Sequence, residues 1–272
     1  MGSGIAEVCA RAGVDVTVLE ADSASVERSR AAVEKSLARG VRAGKLGEED
    51  RDAALDRLAF TDSLDDLEGA DAAIEAIIED EAAKRSMFKK LDTLLPDAQF
   101  LASNTSSVPI MKLGAETSQP HRVLGLHFFN PVPVLPLVEV VTSIMTTPDT
   151  VATARSFAEE TLGKQCIDSQ DRAGFVVNAL LIPYLLSAIR MFESGFASKE
   201  DIDKGMILGC AHPMGPLQLS DLIGLDTLLA VSASLYEEFR DPASVAPALL
   251  NRMVEAGLLG RKSGRGFYDY SK

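Results

Sequence analysis

The sequence predicts an α/β fold: a Rossmann-type, mostly parallel sheet followed by an all-α C-terminal domain. Up to residue 165, short runs of β-branched residues alternate with helix-like stretches, which is typical of a sheet covered by helices on both faces. From about residue 173 onward the strand pattern disappears and helical periodicity continues. We therefore place a domain boundary near residues 168–173, between a sheet domain (1–170) and a helical domain (171–272).

The individual elements follow from the same periodicity. The predicted strands are 15–20, 72–78, 99–103, 123–128 and 137–142. The helices predicted in the first domain are 3–13, 22–42, 48–58, 81–94 and 149–162. Those predicted in the second domain are 175–195, 199–209, 217–239 and 243–257, before a turn-rich tail.

Composition excludes several classes of protein. The 272 residues are 46% hydrophobic, enough to bury a core, and the net charge of −13 argues against a nucleic acid or an anionic membrane as partner. The apolar stretch 173–192 is interrupted by Asn178, Pro183 and Arg190, so we predict a buried helix there and no membrane contact. Three cysteines, expected to be small buried residues, do not make a disulfide framework. With no leader pattern at Met1, we expect a cytoplasmic protein.

The first twenty residues, MGSGIAEVCARAGVDVTVLE, resemble part of a nucleotide-binding motif. In a dinucleotide-binding βαβ unit, a strand and a glycine-rich turn precede the first helix, and an acidic residue after the next strand binds the adenosine ribose. Gly2 lies 18 positions before Glu20, close to the offset expected for the third glycine of that motif. We expect that the first strand and two glycines, roughly 10–15 residues, precede Met1 in the complete protein. An ordinary glycine-capped helix at a true terminus is the alternative.

Polar motifs follow the predicted strands in the middle of the first domain: SNTSS at 103–107 and HFFNP at 127–131, with LVEVV at 137–141. In open α/β sheets, ligands bind beyond the carboxyl ends of the strands. Glu139 lies inside an apolar strand, where a carboxylate is costly without a partner. If it bonds one ring nitrogen of His127, it fixes the tautomer and leaves the other nitrogen as a base. Two unrelated buried polar residues are an equal alternative.

These motifs, together with GFVVN at 174–178, HPMGP at 212–216 and GRGFYDY at 264–270, resemble the 3-hydroxyacyl-CoA dehydrogenases, most of all their bacterial 3-hydroxybutyryl-CoA branch. The resemblance implies an oxidoreductase that interconverts (S)-3-hydroxyacyl-CoA and 3-oxoacyl-CoA with NAD or NADP. It further implies an acyl-CoA substrate, expected to be 3-hydroxybutyryl-CoA, no metal, and a homodimer formed through the C-terminal helices.

The resemblance also implies roles for individual residues. The catalytic set is His127 as acid–base group, Glu139 as its orienting partner, Ser106 at the substrate 3-oxygen and Asn178 at the thioester. The cofactor-binding set is Gly2, Glu20, Glu79, Lys84, Asn104, Ser106 and Asn130. Glu20 favours NAD, because a 2′-phosphate would meet its carboxylate, whereas Arg28 and Arg30 leave NADP open. Ala179 departs from the pattern, since many relatives have Arg there.

A basic segment from Arg28 to Lys45 supports a CoA ligand. It holds six basic residues and one acid, Glu34, for a net charge of +5 in an acidic chain. Such a segment suits the phosphates of CoA. The resemblance implies a CoA contact at Ser36, and Ala43 falls near the position of the family's next lysine, so Arg39, Arg42 or Lys45 is predicted to replace it. The predicted substrate-binding set is therefore Ser36, Arg39, Arg42, Lys45, Ser106 and Asn178. A solvated basic helix face is the alternative.

Overall fold

The computed structural model describes residues 1–271, which divide into two compact units, one from Met1 to Asp171 and one from Arg172 onward. The first unit combines strands and helices in a mostly parallel sheet arrangement, and the second is helical. This confirms the predicted fold class.

Seven strands build the first unit: β1 (Val16–Leu19), β2 (Leu58–Thr61), β3 (Ala72–Glu75), β4 (Phe100–Ser103), β5 (Val123–Phe128), β6 (Leu137–Thr142) and β7 (Gln165–Gln170). Strands β1 and β2 form a parallel pair, and the other five form a second sheet in the order β3-β4-β5-β6-β7. Within residues 1–271, β5 and β6 are the one antiparallel pair of strands. The strand expected before Met1 stays a prediction.

Six helices accompany these strands: α1 (Gly2–Arg11), α2 (Ser23–Arg42), α3 (Glu48–Asp56), α4 (Glu81–Leu94), α5 (Ile110–Gly114) and α6 (Pro148–Ser156). Two of them begin at aspartate caps. The carboxylate of Asp22 accepts the backbone N–H of Ser25 at 2.6 Å, and that of Asp80 accepts the N–H of Ala83 at 2.8 Å. These caps start α2 and α4 just beyond β1 and β3, on the side of the sheet where the polar motifs lie.

Burial explains the apolar sequences of the central strands. Every residue of β4 and β5 is buried, and so are the four central residues of β6. Strands enclosed on both faces read as continuous apolar runs, which made these three the easiest to predict. Leu124, Leu126 and Val138 pack with Ile5 and Val8 of α1 in one core cluster.

The second unit consists of α7 (Val177–Glu193), α8 (Lys199–Cys210), α9 (Pro216–Ile223), α10 (Leu225–Phe239) and α11 (Ala248–Glu255). Its core gathers Leu185 and Ile189 of α7 with Leu217 of α9 and Leu228 of α10. The C-terminal tail is fastened to Asp221, whose carboxylate accepts the backbone N–H groups of residues 267 and 268, both at 2.9 Å.

The structure corrects several predicted elements. Strands β2 and β7 were not predicted, because LAFT is short and QCIDSQ carries polar residues. The helix predicted over 217–239 is broken at Gly224, whose φ of 103° no helix accommodates. The strand predicted over 72–78 ends at Glu75, where the side-chain carboxylate takes the N–H of Ile77 at 2.7 Å.

Two further expectations concern the membrane and the cysteines. No single helix within residues 1–271 is long and apolar enough to cross a membrane. Helices α9 and α10 together have the length and composition of a span, but the chain bends by 96° between them. Cys9 is buried, Cys166 is half-buried and Cys210 is exposed. The expectation of a buried cysteine was therefore wrong for Cys210, which ends helix α8.

Candidate active site

The centre of the candidate site is a contact between His127 and Glu139. The two residues lie directly opposite each other in the antiparallel β5–β6 register, so their side chains share one face of the sheet. His127 Nδ1 lies 2.6 Å from Glu139 Oε2, and the glutamate is fully buried. The two side chains lie as the sequence analysis expected, and their chemical role stays a prediction. A buried carboxylate at this distance favours the tautomer that carries the proton on Nδ1.

The β5–β6 connection is held by a residue that the sequence analysis missed. Lys164 donates from Nζ to the carbonyl oxygens of Val132 at 2.6 Å and Leu135 at 2.8 Å. Burial lowers the pKa of Lys164, and the charge of Arg11 lowers it further. The lysine thereby fixes the segment that joins the His127 strand to the Glu139 strand. No motif surrounds it, so its role could be found only from the fold.

Ser106 lies in the loop that follows β4, and a single carboxylate oxygen organises this loop. Glu79 Oε1 accepts hydrogen bonds from Thr105 Oγ1 at 2.6 Å and from the backbone N–H groups of Ser106 and Ser107 at 2.9 Å each. The Ser107 hydroxyl donates to the same oxygen at 2.9 Å. Glu79 therefore fixes the loop backbone on both sides of the Ser106 side chain.

The environment of Glu79 keeps it ionised. Burial alone would raise its pKa, but the hydrogen bond from Thr105, the charge of Lys84 and the bonds from Ser107 and Ser106 outweigh burial and hold the pKa below its ordinary value. The carboxylate is thus a stable acceptor for the loop at neutral pH.

Lys84 is fully buried, whereas the sequence analysis predicted that it contacts the cofactor. Its Nζ lies 2.7 Å from Glu75 Oε1 and 3.2 Å from Glu79 Oε2. Glu75 is the last residue of β3 and was not singled out from the sequence. The available signal was its place inside the apolar run AAIEAII, the same signal that identified Glu139.

Asn104 and Asn130 complete the polar groups near these strand ends. The side-chain oxygen of Asn104 accepts the backbone N–H of Phe128 at 2.8 Å, so it joins the end of β4 to the end of β5 next to His127. Asn130 is exposed and follows β5 by two residues. The predicted asparagines therefore lie on neighbouring strand ends.

The beginning of α1 and the end of β1 suit a dinucleotide. Helix α1 begins at Gly2 without a side-chain cap and without an acid in its first turn. A helix N-terminus of this kind attracts phosphate groups. A Cβ atom on Gly4 would come within 3.1 Å of Val132 Cβ, whereas one on Gly2 would make an ordinary 3.7 Å contact with Ala76. The half-buried Glu20 follows β1 and offers a carboxylate for ribose hydroxyl groups. These donors and acceptors fit the phosphates and ribose of a dinucleotide.

The basic segment divides between two places. Arg28, Lys35, Arg39 and Arg42 recur at helical spacing along one exposed face of α2. Ser36 and Arg39 line a cavity of about 170 Å³ together with Asn130. Lys45 lies beyond the helix and lines a different cavity with Lys164. The structure therefore groups Ser36 with Arg39 and does not place Lys45 with them.

Asn178 belongs to the second unit, where it is the second residue of α7 and half-buried. The turn before it requires glycine. Gly174 has a φ of 74°, and a Cβ atom there would come within 2.9 Å of the backbone nitrogen of Ala179. The carboxylate of Glu238 holds the N–H of Ala173 at 2.8 Å. Gly174 thus fixes the chain direction into the helix that carries Asn178.

Among residues 1–271, no group of three or more His, Cys, Asp or Glu side chains is arranged to hold a metal ion.

Comparison with known proteins assigns the chain to a family. The model of the 3-hydroxyacyl-CoA dehydrogenase NAD-binding domain matches residues 1–172, and that of the C-terminal domain matches residues 174–270. The chain belongs to the 3-hydroxyacyl-CoA dehydrogenase family. It is therefore an oxidoreductase with an NAD-binding domain, and the predicted family is confirmed.

Members of this dehydrogenase family resemble the chain along nearly its whole length. A 3-hydroxybutyryl-CoA dehydrogenase of Mycobacterium tuberculosis is 59% identical, covering 99% of this chain and 95% of its own. The crystal structure of M. tuberculosis FadB2 matches with a TM-score of 0.98, at 59% identity and the same coverage. That of the (S)-3-hydroxybutyryl-CoA dehydrogenase PaaH1 from Ralstonia eutropha matches at 0.94, with 45% identity, 100% of this chain and 96% of its own.

The anchoring of the Ser106 loop by Glu79 predicts a pH effect on stability. The ordinary pKa of 4.5 is lowered in the folded protein, so the stabilisation is present above 4.5 and is lost as the pH falls through the lowered folded-state pKa. We expect Glu79→Gln to lower the thermal midpoint at neutral pH by about 2–4 °C. The difference from the wild type should shrink as the pH is lowered, when both are followed by circular dichroism.

A suitable control is Glu81→Gln, which removes an exposed carboxylate bound to Lys112 and should change the midpoint less. A Glu79→Gln midpoint equal to that of the wild type at every pH would contradict this anchoring role.

Proposed function

We propose that this dehydrogenase interconverts (S)-3-hydroxybutyryl-CoA and acetoacetyl-CoA with a nicotinamide dinucleotide, using His127 and Glu139 as its acid–base pair. The observation that carries the proposal is the 2.6 Å contact between His127 Nδ1 and the buried Glu139 carboxylate. The choice of a short acyl chain is supported by the names of the similar 3-hydroxybutyryl-CoA dehydrogenases from M. tuberculosis and R. eutropha.

The proton chemistry follows from that contact. Glu139 accepts a hydrogen bond from Nδ1–H, so Nε2 is the nitrogen that exchanges a proton with the substrate 3-oxygen. In the oxidative direction, His127 removes the hydroxyl proton and becomes an imidazolium, which the adjacent carboxylate stabilises. In the reductive direction the imidazolium returns the proton to the carbonyl oxygen. When bound, the dinucleotide supplies the hydride acceptor or donor for the substrate C3 atom.

Ser106 has the complementary task of donating a hydrogen bond to the substrate 3-oxygen. Its loop follows β4, and Asn104 ties the same strand end to β5, which carries His127. A donor held in place before the reaction stabilises the negative charge that develops on that oxygen. Asn178 is assigned to the thioester end of the substrate on the sequence motif.

For the cofactor, we propose NAD in preference to NADP. The start of α1 offers backbone N–H groups to the phosphates, and Glu20 offers its carboxylate to the ribose. The two arginines that left NADP open have partners on the surface. Arg28 donates to Ser25 Oγ at 2.7 Å, and the Arg30 guanidinium lies 4.8 Å from the centre of the Phe60 ring.

For the acyl-CoA, we propose that the exposed basic face of α2 binds phosphate groups. Arg39 is the favoured contact, because it lines a cavity with Ser36. Arg42 follows on the same helix face, and Lys45 is the weakest candidate because it lies elsewhere.

We further propose a homodimer formed through the helices of the second unit. Leu180 and Phe196 are 73% and 79% exposed, and Leu208 is 73% exposed. Large apolar side chains left this exposed on one helical unit suit a surface that a second copy covers. The three free cysteines support the proposed cytoplasmic location.

Replacement of the acid–base pair should abolish most of the turnover. We expect His127→Ala to lower kcat for acetoacetyl-CoA reduction by about 10²–10⁴-fold with little change in NADH affinity. Glu139→Gln should also lower kcat severely, because a neutral amide does not stabilise the imidazolium as a carboxylate does. NADH oxidation followed by absorbance measures both.

The control is His121→Ala, which removes an exposed histidine of the same unit and should leave kcat unchanged. Near-normal turnover by either site variant would refute the assignment. Faster turnover of longer 3-oxoacyl-CoA thioesters by the wild type would refute the short-chain substrate.

The cofactor preference is tested at Glu20. In Glu20→Ser the carboxylate no longer repels a 2′-phosphate, so kcat/KM with NADPH relative to NADH should rise about 10-fold. Steady-state kinetics with both cofactors measure this ratio. Glu48→Gln, an exposed acid at the start of α3, controls for the change in net charge. An unchanged ratio in Glu20→Ser would argue against the proposed role.

The dimer is tested by sedimentation equilibrium. We expect a mass near twice 29.0 kDa for the wild type, and a shift toward the monomer for Leu180→Glu, which puts a charge into the proposed interface. Ile144→Glu alters an apolar residue of the first unit that is still more exposed, at 91%, and should leave the dimer intact. A monomer mass for the wild type at all concentrations would overturn the proposal.

A further inference from the structure

We propose that Glu75 is a positioning residue for this reaction: with Lys84 it fixes Glu79 and, through it, the loop that carries Ser106. The proposal rests on the proposed role of Ser106. It assigns a function to a buried carboxylate that lies outside the polar motifs and whose hydrogen bonds lead to the Ser106 loop.

Glu75 is one of the most completely satisfied side chains of the first unit. Its side chain is 1% exposed, and its Oε1 accepts Lys84 Nζ and the backbone N–H of Ile77, both at 2.7 Å. Its Oε2 accepts the hydroxyl of Ser103 at 2.6 Å. Both carboxylate oxygens are thus occupied, and the three donors come from the segment just after β3, from α4 and from β4.

Two chains of contacts lead from Glu75 to Ser106. The first passes through Lys84, whose Nζ lies 3.2 Å from Glu79 Oε2, and then through Glu79 Oε1 to the backbone N–H of Ser106 at 2.9 Å. The second passes through Ser103, whose Oγ accepts the backbone N–H of Thr105 at 3.1 Å. Glu75 therefore fixes the start of the loop at Ser103 and, through Lys84, its middle.

The energetics favour a positioning role over a purely stabilising one. Lys84 and Glu75 side chains are each 1% exposed, and removing two charges from water costs much of what their attraction returns. Apolar residues would fill the same space without that desolvation cost. What apolar residues could not do is direct one ammonium group toward the carboxylate that holds the Ser106 loop.

The same helix offers a comparison. Asp92, near the end of α4, pairs with the buried Arg122 at 2.8 Å, and Arg122 also donates to the backbone carbonyls of residues 95, 96 and 98. That pair closes the turn after the helix, at the opposite end of α4 from Lys84. Asp92→Asn is therefore a matched control for loss of a buried charge pair on α4.

The first measurement is kinetic. We expect Glu75→Gln to lower kcat for acetoacetyl-CoA reduction by about 10- to 100-fold, because displacement of a reacting group by about 1 Å has effects of that size. Asp92→Asn should lower the thermal midpoint while leaving kcat and KM within about twofold of the wild type. A reduction of kcat by both variants in proportion to their loss of stability would overturn the positioning role.

The second measurement is a double-mutant cycle. In the Ser106→Ala background, Glu75→Gln should lower kcat by less than about threefold, because the hydroxyl that Glu75 positions has been removed. Full additivity of the two effects would show that Glu75 acts independently of Ser106 and would overturn the proposal.

The third measurement does not depend on turnover. The amide protons of Ser106 and Ser107 are held by Glu79, so hydrogen exchange at both should be slow in the wild type and in Asp92→Asn, and at least about 10-fold faster in Glu75→Gln. Unchanged exchange in Glu75→Gln overturns the proposal even if the kinetics change. A wild type that does not reduce acetoacetyl-CoA refutes the proposed function, while the exchange result still decides the positioning role.

If Glu75→Gln does not fold, the variant Ser103→Ala tests the positioning role in its place. It removes only the hydroxyl that joins Glu75 to Thr105, and we expect about a 3- to 10-fold loss of kcat with faster exchange at Ser106. Wild-type kcat together with wild-type exchange in Ser103→Ala would overturn the proposal.

Discussion

The candidate site depends on one contact, the 2.6 Å approach of His127 Nδ1 to the Glu139 carboxylate. That contact exists because β5 and β6 run antiparallel, with His127 directly opposite Glu139 in an otherwise mostly parallel arrangement. A glutamate enclosed among apolar strands would be costly without such a partner. The change of strand direction thus places the proposed acid–base group beside Glu139 and gives the buried carboxylate a partner.

The polar groups around this pair are held by the fold and not by their own flexible side chains. Glu79 fixes the loop of Ser106 through backbone N–H groups, and Asn104 joins the ends of β4 and β5. Lys164 does the same for the segment between β5 and β6, by donating to two carbonyl oxygens. Such preorganisation is what lets a hydrogen-bond donor stabilise charge without first having to reorient.

Sequence patterns predicted those features whose signal is local. The buried strands β4, β5 and β6 appear as apolar runs, and the glutamate inside the last of them stands out because it breaks the run. Strands β2 and β7 escaped prediction since their short or polar sequences become strands only through pairing with β1 and β6. The break at Gly224 escaped because a glycine within an apolar periodic pattern does not reveal its φ.

By itself, the sequence determined the family and the order of sheet and helical regions, because motif identity and hydrophobic period are properties of the chain alone. For the same reason it predicted the candidate residues His127, Glu139, Ser106 and Asn178. Only the tertiary structure decided that Lys84 is buried between Glu75 and Glu79, and that Ser36 and Arg39 share a cavity from which Lys45 is absent. The physical reason is that burial and ion pairing depend on which side chains meet across the sheet, and separation along the chain does not encode that.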